Sequence, residues 1–286
     1  MKPHPFTYHA PRTLDEALDL AGLDNARVLA GGQSLMPMLN LRVAAPDHLI
    51  DLGSVDGLAG IEETAEGLRI GAMTRQRVLE KSARVAARCP LITEALSFVG
   101  HQQTRNRGTI GGSLCHLDPA AELPVAMMTL DAVLTIAGPS GTRTLPFAEF
   151  PAGLLTTALE PGEILTRIDV AEQAPRTGIA FDEFARRHGD FAIVSVAALV
   201  TRGDDDRVAA ARLVIGGIGS GPLRIEGAEA ALVGRPWSED SLAAAAAAAS
   251  NVPAEGDATY PADYRQDLAG VLAERTLRHA WSRAHG

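Results

Sequence analysis

The pattern of apolar and polar positions divides the chain into three consecutive units. In the first, residues 1–57, a capping box at Thr13 opens a helix whose apolar residues share one face and which ends at Gly22. Two short apolar runs follow, RVLA at 27–30 and HLIDL at 48–52, and both are typical of buried strands. The first unit is therefore predicted to be a small α/β layer.

The second unit, residues 58–175, combines helices with short strands. A helical pattern covers the segment from Arg75 to Gly100, and AAELPVAMMTL at 120–130 predicts a further helix. AVLTIAG, TRTLPFAEF and EILTRIDV then alternate between apolar and polar positions and are bounded by turn residues. These runs predict an antiparallel sheet.

The third unit, residues 176–286, is predicted to be a separate α+β domain. FAIVSVAALVTR at 191–202 and VAAARLVIGGIG at 208–219 indicate two strands joined by the acidic turn GDDDR. The alanine-rich segment at 241–250 and the stretch from Tyr264 to Ser282 follow as helices. A sheet followed by helices in series favours an α+β class for this domain.

Composition and charge narrow the classes of function. The net charge of −9 is spread along the chain, so a nucleic-acid partner is not expected. The longest apolar run, at 191–200, is far shorter than the ~20 residues of a membrane-spanning helix, and the first residues do not resemble a signal peptide. Cys89 and Cys115 are too few for a disulfide framework or for a common iron–sulfur cluster. We expect a cytoplasmic protein without a membrane span.

Several common catalytic motifs are missing from the sequence. Lys2 and Lys81 are the only lysines and neither follows a glycine-rich loop, which excludes a Walker motif; HExxH and GxSxG are also absent. His101 and His116 lack a third ligand at regular spacing, so no metal site is expected. GGIGSG at 216–221 is followed by proline rather than by a helix, and is better interpreted as a turn between strands than as a Rossmann fingerprint.

Two Gly-Gly segments carry the candidate chemistry. RVLAGGQSLMPMLNLR at 27–42 and RNRGTIGGSLCHLDPAAELP at 105–124 each lead from Gly-Gly through a hydroxyl residue, Ser34 or Ser113, into a helical pattern. Glycine permits positive φ and close approach of consecutive N–H groups to an anion. A single Gly-Gly is most often a tight turn, but two such turns facing each other could hold the pyrophosphate of a dinucleotide.

Three segments also resemble a known family. AGGQSLMPMLNLR, RNRGTIGGSLCHLDPAAELP and RRHGDFAIVSVAA are similar to the FAD-binding medium subunit of molybdenum hydroxylases, the family of xanthine dehydrogenase, carbon monoxide dehydrogenase and quinoline oxidoreductase. The resemblance implies an FAD-binding domain of the vanillyl-alcohol-oxidase (PCMH) type at 1–175, with α/β subdomains at about 1–57 and 58–175. The family's C-terminal flavoprotein domain, of α+β class, is then expected at 176–286.

The resemblance implies that both Gly-Gly segments contact the FAD pyrophosphate, one from each side. The implied residues are Ala30, Gly31, Gly32, Gln33, Ser34 and Leu35 in the first segment and Thr109, Ile110, Gly111, Gly112 and Ser113 in the second. Of these, Leu35 is expected to pack behind the first loop rather than to contact the pyrophosphate.

The resemblance implies further contacts before and after the second segment. His101 and Thr104 fall in the stretch that passes beside the flavin, although an exposed loop histidine and an ordinary turn are the alternatives. Asp118 and Glu122 fall where the family places an acidic residue near the nucleotide. Glu122 matches that position better, since Asp118 before proline could simply cap a helix.

Two apolar residues complete the set. The resemblance places Leu165 near the adenine and Phe191 against the isoalloxazine ring, on which an aromatic face can stack. A phenylalanine that opens a buried strand is otherwise a core residue.

As to function, the resemblance implies a flavoprotein that binds FAD and transfers electrons. A large partner subunit with a molybdopterin cofactor is expected to oxidise an N-heterocycle, an aldehyde or CO, and a small partner with two [2Fe–2S] clusters is expected to pass the electrons to the FAD. The assembly is expected to be a dimer of heterotrimers that reduces an external acceptor. Because flavin chemistry resides in the cofactor, no catalytic side chain is predicted in this chain.

Two alternatives remain open from the sequence. A stand-alone FAD oxidase of the same fold would need acid–base residues over the flavin, and no clear candidates are visible. A non-enzymatic module that binds another pyrophosphate is the second alternative. The substrate and the electron acceptor are not determined by this chain's residues.

Overall fold

The computed structural model describes residues 1–284. Its first subdomain is a three-stranded parallel sheet in the order β1-β3-β2, with one helix after each of its first two strands. Its elements are β1 (Thr7–His9), α1 (Leu14–Ala21), β2 (Ala26–Leu29), α2 (Leu35–Asn40) and β3 (His48–Asp51), followed by a 3₁₀ turn at Leu52–Ser54.

The predicted helix and two strands of this subdomain are confirmed. Thr13 caps α1 by accepting a hydrogen bond from Glu16 N at 3.2 Å. The Glu16 carboxylate, however, accepts from Arg12 N rather than from Thr13, so the capping box is only half formed. Strand β1 was not predicted, because the three residues of TYH are too few to show a period.

The second subdomain has a five-stranded antiparallel sheet in the order β4-β5-β10-β6-β7 and a group of helices. The predicted antiparallel sheet is therefore confirmed. Its elements are β4 (Ile61–Glu63), β5 (Gly67–Gly71), α3 (Gln76–Lys81), α4 (Ala83–Arg88), α5 (Pro90–Phe98), α6 (Gln102–Arg107), α7 (Ile110–His116), α8 (Glu122–Thr129), β6 (Val133–Gly138), β7 (Gly141–Pro146), a 3₁₀ turn at Phe147–Glu149, the hairpin β8 (Pro151–Gly153) and β9 (Thr156–Thr157), and β10 (Ile164–Ala171).

The helical pattern from Arg75 to Gly100 corresponds to three helices rather than one. Ser82 interrupts it by capping α4, where its Oγ accepts from Val85 N at 3.3 Å. Pro90 then opens α5, because proline is favoured in the first turn of a helix and disfavoured further inside. The apolar period alone does not show such breaks.

The C-terminal domain is an antiparallel sheet in the order β11-β12-β13-β14, covered on one face by three helices. The segment GGIGSG connects β13 to β14, which confirms its interpretation as a turn between strands. The elements are β11 (Thr177–Ala185), β12 (Ala192–Arg202), β13 (Val208–Gly216), β14 (Leu223–Arg224), α9 (Glu226–Leu232), α10 (Glu239–Ser250) and α11 (Ala262–Arg283).

A continuous apolar core joins the two domains. Phe181 and Leu199 of the C-terminal sheet belong to the same buried cluster as the helices of the second subdomain. At this joint the rings of Phe98 and Phe181 lie 5.5 Å apart. Glu94 on α5 accepts from Phe181 N at 3.1 Å and from Arg283 Nη1 at 2.7 Å. The joint is therefore packed and hydrogen-bonded.

No helix within residues 1–284 combines the length and apolar character that crossing a membrane requires.

Candidate functional site

The first Gly-Gly segment is an open loop between β2 and α2. Gly32 adopts φ +74°, a conformation that glycine reaches without strain. Within the described residues, the backbone N–H groups of residues 31–34 donate to no protein acceptor. Ser34 caps α2 without a side-chain hydrogen bond, and Leu35 is half-buried behind the loop. Consecutive free N–H groups of this kind form an anion-binding concavity.

The second Gly-Gly pair has a different conformation from the one predicted. Gly111 and Gly112 are not among the residues with positive φ and lie in the first turn of α7. The backbone N–H groups of this segment bond within the protein: Gly111 N donates to Ala72 O at 2.8 Å and Gly112 N to Thr109 Oγ1 at 3.1 Å. Those of Ile110 and Ser113 donate to Thr74 O and Thr109 O. The expectation of a second positive-φ turn is therefore wrong.

Glycine is required in the second segment for close packing instead. A Cβ on Gly111 would lie 2.6 Å from Ala72 Cβ, and a Cβ on Gly112 would lie 2.8 Å from Thr109 Oγ1 and 3.2 Å from Ala30 Cβ. Real Cβ atoms essentially never approach other heavy atoms below 3.0 Å. The pair thus allows α7 to approach both β5 and the first loop.

The two segments meet directly. A Cβ on Gly31 would lie 2.8 Å from Gly108 Cα and in collision with the Arg107 carbonyl oxygen. From the other side, Gly112 faces Ala30. The structure thus brings together the two loops that the sequence placed about eighty residues apart.

An open cleft of about 270 Å³ lies at this junction. Arg107 contributes a cation to its wall, and Arg75, which donates to the Arg107 carbonyl oxygen, places a second cation nearby. Burial and the Arg107 charge lower the pKa of Arg75. The one carboxylate of the wall, Asp51, accepts hydrogen bonds from Tyr8 Oη at 2.6 Å and Gly53 N at 2.8 Å. The cleft therefore suits an anion.

Two predicted residues stand before the second segment. His101 is exposed, and a Cβ on Gly189 would lie 2.5 Å from its Cε1, so its ring packs against the loop before Phe191. Thr104 is half-buried and its carbonyl accepts from Gly108 N at 2.7 Å, which holds the start of the second segment. His101 thus borders the region between the two domains, whereas the contacts of Thr104 lie within the FAD-binding domain.

The neighbouring arginines differ in their surroundings. Arg105 is 11% exposed and donates to Glu80 Oε2 at 3.0 Å and Val99 O at 2.8 Å. It is a structural residue. Arg107, in contrast, lines the cleft.

The structure also shows the surroundings of the two acidic residues after α7, Asp118 and Glu122. Asp118 does not cap α8, because that helix begins at Glu122 and its cap is Ala121. Asp118 Oδ1 instead accepts from Ala120 N at 2.9 Å in a local turn. Glu122 is 8% exposed, and burial raises its pKa to about 7.

The two apolar residues differ in exposure. Phe191 is 74% exposed in the loop before β12, so the alternative of a core phenylalanine is wrong. Leu165 is only 4% exposed, within the main core on β10 opposite Ile136. An exposed aromatic ring two residues after Gly189, which packs against His101, is a surface that a flat ligand could cover.

Sequence reasoning missed Met36, Asp51 and Glu183. Met36 and Asp51 line the cleft, and Glu183 has a buried oxygen without a hydrogen-bond partner in the described part of the chain. Asp51 could have been found, since it ends a predicted strand next to the first loop. Glu183 carried no local signal. Within the described residues, no three His, Cys, Asp or Glu side chains are grouped as metal ligands.

Comparisons with known proteins define the class. Residues 4–172 match the family model described as the FAD binding domain in molybdopterin dehydrogenase, and residues 179–280 match the CO dehydrogenase flavoprotein C-terminal domain. The chain is thus a two-domain flavoprotein that binds FAD.

Relatives of known name cover the whole chain. The 6-hydroxypseudooxynicotine dehydrogenase complex subunit alpha of Paenarthrobacter nicotinovorans is 39% identical, over 99% of this chain and 97% of its own. The structure of carbon monoxide dehydrogenase from Hydrogenophaga pseudoflava superposes with a TM-score of 0.95 at 39% identity, covering 99% of both chains. That of quinoline 2-oxidoreductase from Pseudomonas putida 86 gives 0.94 at 36% identity and covers 100% of both.

The chain therefore belongs to the FAD-binding medium subunits of the molybdenum hydroxylases. As a member, it is an FAD-dependent oxidoreductase subunit. The predicted family, fold class and cofactor are confirmed. The individual cofactor contacts stay predictions.

The residues present fit such a cofactor. Gly31 lets the first loop approach the second segment more closely than a side chain would allow, and Gly112 adds a tight contact with Ala30 from the other side. Free N–H groups and the Arg107 cation stand at their junction, and Phe191 is exposed at the domain joint. A dinucleotide has an anionic pyrophosphate in its middle and, in FAD, a flat aromatic ring at one end. The N–H groups and the Arg107 cation suit the pyrophosphate, and the exposed Phe191 ring suits the flat ring.

Proposed function

We propose that this chain is the electron-transfer subunit of a molybdenum hydroxylase complex. In this proposal its FAD takes electrons from the [2Fe–2S] clusters of a small subunit and passes them to an external acceptor. A large subunit with a molybdopterin cofactor oxidises the substrate, which is an N-heterocycle, an aldehyde or CO. The complex is a dimer of heterotrimers in the cytoplasm.

The observation that carries this proposal is the direct contact of the two Gly-Gly segments beside a cationic cleft. Relatives named for 6-hydroxypseudooxynicotine, for carbon monoxide and for quinoline are 36–39% identical to this chain, and the last two share its fold. Because relatives named for different compounds have such similar flavoprotein subunits, we infer that another subunit of the complex selects the substrate. The division into residues 1–175 and 176–286 is part of the proposal.

The first loop would hold the pyrophosphate through the N–H groups of residues 31–34 and the Ser34 hydroxyl, with Arg107 as the neighbouring cation. Because the N–H groups of residues 110–113 bond within the protein, the second segment would contribute mainly by shaping the wall. Glu122 would face the nucleotide, and His101, Thr104 and Phe191 the flavin end. Leu165 and Asp118 would support that site from behind. When bound, FAD supplies the exchange between one- and two-electron chemistry.

The first experiment is to purify the chain alone and record its visible spectrum. We expect bound flavin with oxidised absorption bands, and no oxidation of N-heterocycles, aldehydes or CO by the isolated chain. Co-expression with the adjacent genes is expected to yield a complex that contains molybdenum and iron. A chain without flavin would contradict the proposal, and a chain that oxidises a substrate unaided would identify it as a stand-alone oxidase.

Replacing Arg107 tests the charge of the cleft. Arg107→Ala removes the side-chain cation while its backbone carbonyl still accepts from Arg75. Since hydrogen bonds to charged groups contribute about 1.5–3 kcal/mol, we expect FAD to bind roughly tenfold more weakly or worse, with a weaker dependence on salt. Fluorescence titration of the deflavinated chain measures this affinity.

The matched control is Arg84→Ala, which removes the same charge from a side chain that is 63% exposed and pairs with Glu63 away from the cleft. Its FAD affinity is expected to equal that of the wild type. Equal losses in both variants would mean that Arg107 acts only through net charge.

A further inference from the structure

Asp51 gives the cationic cleft one acidic wall. It ends β3 and pairs with Leu29, the last residue of the parallel strand β2. Leu29 leads directly into the first loop, and Asp51 lines the same cleft as residues 29–33. The carboxyl ends of parallel strands form one edge of a sheet, and ligands of open α/β sheets bind at such edges. Asp51 therefore lies at the edge of the first subdomain where a ligand is expected.

The Asp51 carboxylate is fixed in place and still has acceptor capacity. Its Oδ2 accepts from Tyr8 Oη at 2.6 Å and its Oδ1 accepts from Gly53 N at 2.8 Å. A carboxylate offers about four acceptor positions, so about two are left for a ligand. The hydrogen bond to Asp51 is the main cause that raises the pKa of Tyr8, and the tyrosine therefore remains a neutral donor. The cleft thus contains a pre-oriented hydrogen-bond acceptor.

A structural role accounts for the bonds of Asp51 but not for its place in the cleft. The bond to Gly53 N caps the 3₁₀ turn at Leu52–Ser54. Tyr8 is 54% exposed, so its bond to Asp51 satisfies no buried group. A carboxylate repels phosphate, yet this one shares the cleft with Arg107 and with the free N–H groups of the first loop. This arrangement indicates a ligand whose anionic part adjoins a hydrogen-bond donor.

Hydroxyl groups are the donors that a dinucleotide has next to its pyrophosphate. The two neighbouring hydroxyls of a ribose suit a carboxylate with two open acceptor positions. In Rossmann-type βαβ units, an acid about 20 positions after the glycine-rich turn binds the ribose in this way. Here β2, the first loop, α2 and β3 also form a parallel βαβ unit, and Asp51 follows Gly31 at the same spacing.

The position of Asp51 favours the adenosine half of FAD over the flavin half. Ile50, which precedes Asp51, belongs to the same buried cluster as Ile164. Ile164 opens β10 and is followed by Leu165, the residue assigned to the adenine. Phe191, assigned to the flavin, is instead on the C-terminal domain. The end of β3 therefore shares its core with the strand that carries the proposed adenine contact.

We propose that the Asp51 carboxylate, hydrogen-bonded by Tyr8, accepts hydrogen bonds from the ribose hydroxyls of the adenosine half of FAD. This inference rests on the proposed function, in which the chain binds FAD. The first loop and Arg107 then receive the pyrophosphate, and Asp51 receives the adjacent hydroxyls. The acid also sets specificity, because its charge repels a dinucleotide that carries a phosphate on this ribose.

The test compares FAD with dideoxy-FAD, an analogue that lacks the 2′- and 3′-hydroxyls of the adenosine ribose. Competitive fluorescence titrations of the deflavinated full chain give both affinities. We expect the wild type to bind FAD about tenfold more tightly or better, because a hydrogen bond to a charged group contributes at least about this factor. Asp51→Asn keeps an oxygen for Gly53 N but loses the charge and the second oxygen. Its preference for FAD should fall to within about threefold.

Asp47→Asn is the matched control. Asp47 is exposed at the opposite end of β3, where it accepts from Asn25 Nδ2 at 3.0 Å. The substitution changes the net charge by the same amount, so its preference for FAD should equal that of the wild type. Asp51→Asn itself should bind dideoxy-FAD at least as tightly as the wild type does, since a negative charge near the pyrophosphate is removed. A misfolded chain would lose this binding as well.

FMN separates the ribose from the other hydroxyls of the cofactor, because it has the ribityl chain and one phosphate but no adenosine. Asp51→Asn should bind FMN at least as tightly as the wild type does. A loss of FMN affinity as large as the loss for FAD would assign Asp51 to the ribityl chain and would overturn the ribose assignment.

The remaining outcomes separate this inference from the proposed function. A wild-type chain that binds no FAD contradicts the proposed function itself. If the wild type binds FAD and dideoxy-FAD equally well, the ribose contact is overturned without recourse to any variant, and the flavoprotein assignment stands. Equal losses for FAD and dideoxy-FAD in Asp51→Asn would show a purely structural role and would also overturn it. A preference that disappears while dideoxy-FAD still binds supports the contact.

Discussion

Gly31→Ala is expected to weaken FAD binding strongly. The new Cβ would lie 2.8 Å from Gly108 Cα and against the Arg107 carbonyl, both of which are backbone atoms that cannot rotate away. The first loop must then move away from the second segment. Overpacking of this kind costs about 1–3 kcal/mol, and each 1.4 kcal/mol changes a dissociation constant about tenfold. We expect FAD affinity to fall roughly 10- to 100-fold.

The measurement is the flavin-to-protein ratio of the purified chain together with an FAD titration of the apoprotein. Gly227→Ala is the matched control, because its Cβ would lie at an ordinary 3.5 Å from Ala248 Cβ on the far side of the C-terminal domain. A Gly31→Ala chain that keeps full FAD content would show that the contact between the loops does not shape the cofactor site.

Much of the fold follows from patterns that are local in sequence. The apolar run that became β12 is buried along nearly its whole length, as its composition indicates. Thr13 and the period of the residues after it defined α1 almost to the residue. The breaks at Ser82 and Pro90 were less visible, since apolar spacing continues across them.

The candidate site was only partly predictable, because tertiary packing decides what each glycine does. A Gly-Gly pair indicates that a side chain is not tolerated, but the sequence does not distinguish a need for positive φ from a need for close packing. Gly32 needs positive φ, whereas Gly111 and Gly112 need room beside Ala72 and Ala30, which are distant in sequence. Arg107 becomes notable only when the contact of its backbone with the first loop places it on the same cleft as Asp51. Such relations are set by tertiary packing, which a single sequence does not display.

Gly217→Ala is expected to cause the largest loss of stability among these variants. Gly217 adopts φ +83°, which costs an alanine about 1–2 kcal/mol. Its Cβ would also lie 2.5 Å from Ile193 O, in a strand that cannot move without disturbing the sheet, which adds about 1–3 kcal/mol.

The contacts of Gly217 connect the two domains near the start of β12. Its N–H donates to Pro119 O at 2.9 Å, just before α8, and its carbonyl accepts from Arg265, which also donates to Ile193 O at 2.7 Å. Displacing Gly217 would therefore loosen both the domain joint and the start of β12, where Phe191 is presented.

We expect a thermal midpoint lowered by roughly 5–10 °C for Gly217→Ala in the apoprotein, measured by calorimetry. Gly219→Ala, two residues further along the same turn, is the control, because its φ is not positive and a Cβ there meets nothing within 4 Å. That variant should melt within about 1 °C of the wild type, since surface substitutions rarely change stability by more than about 0.5 kcal/mol. Equal midpoints for the two variants would mean that the turn adapts to a side chain at Gly217, and that the joint does not depend on its conformation.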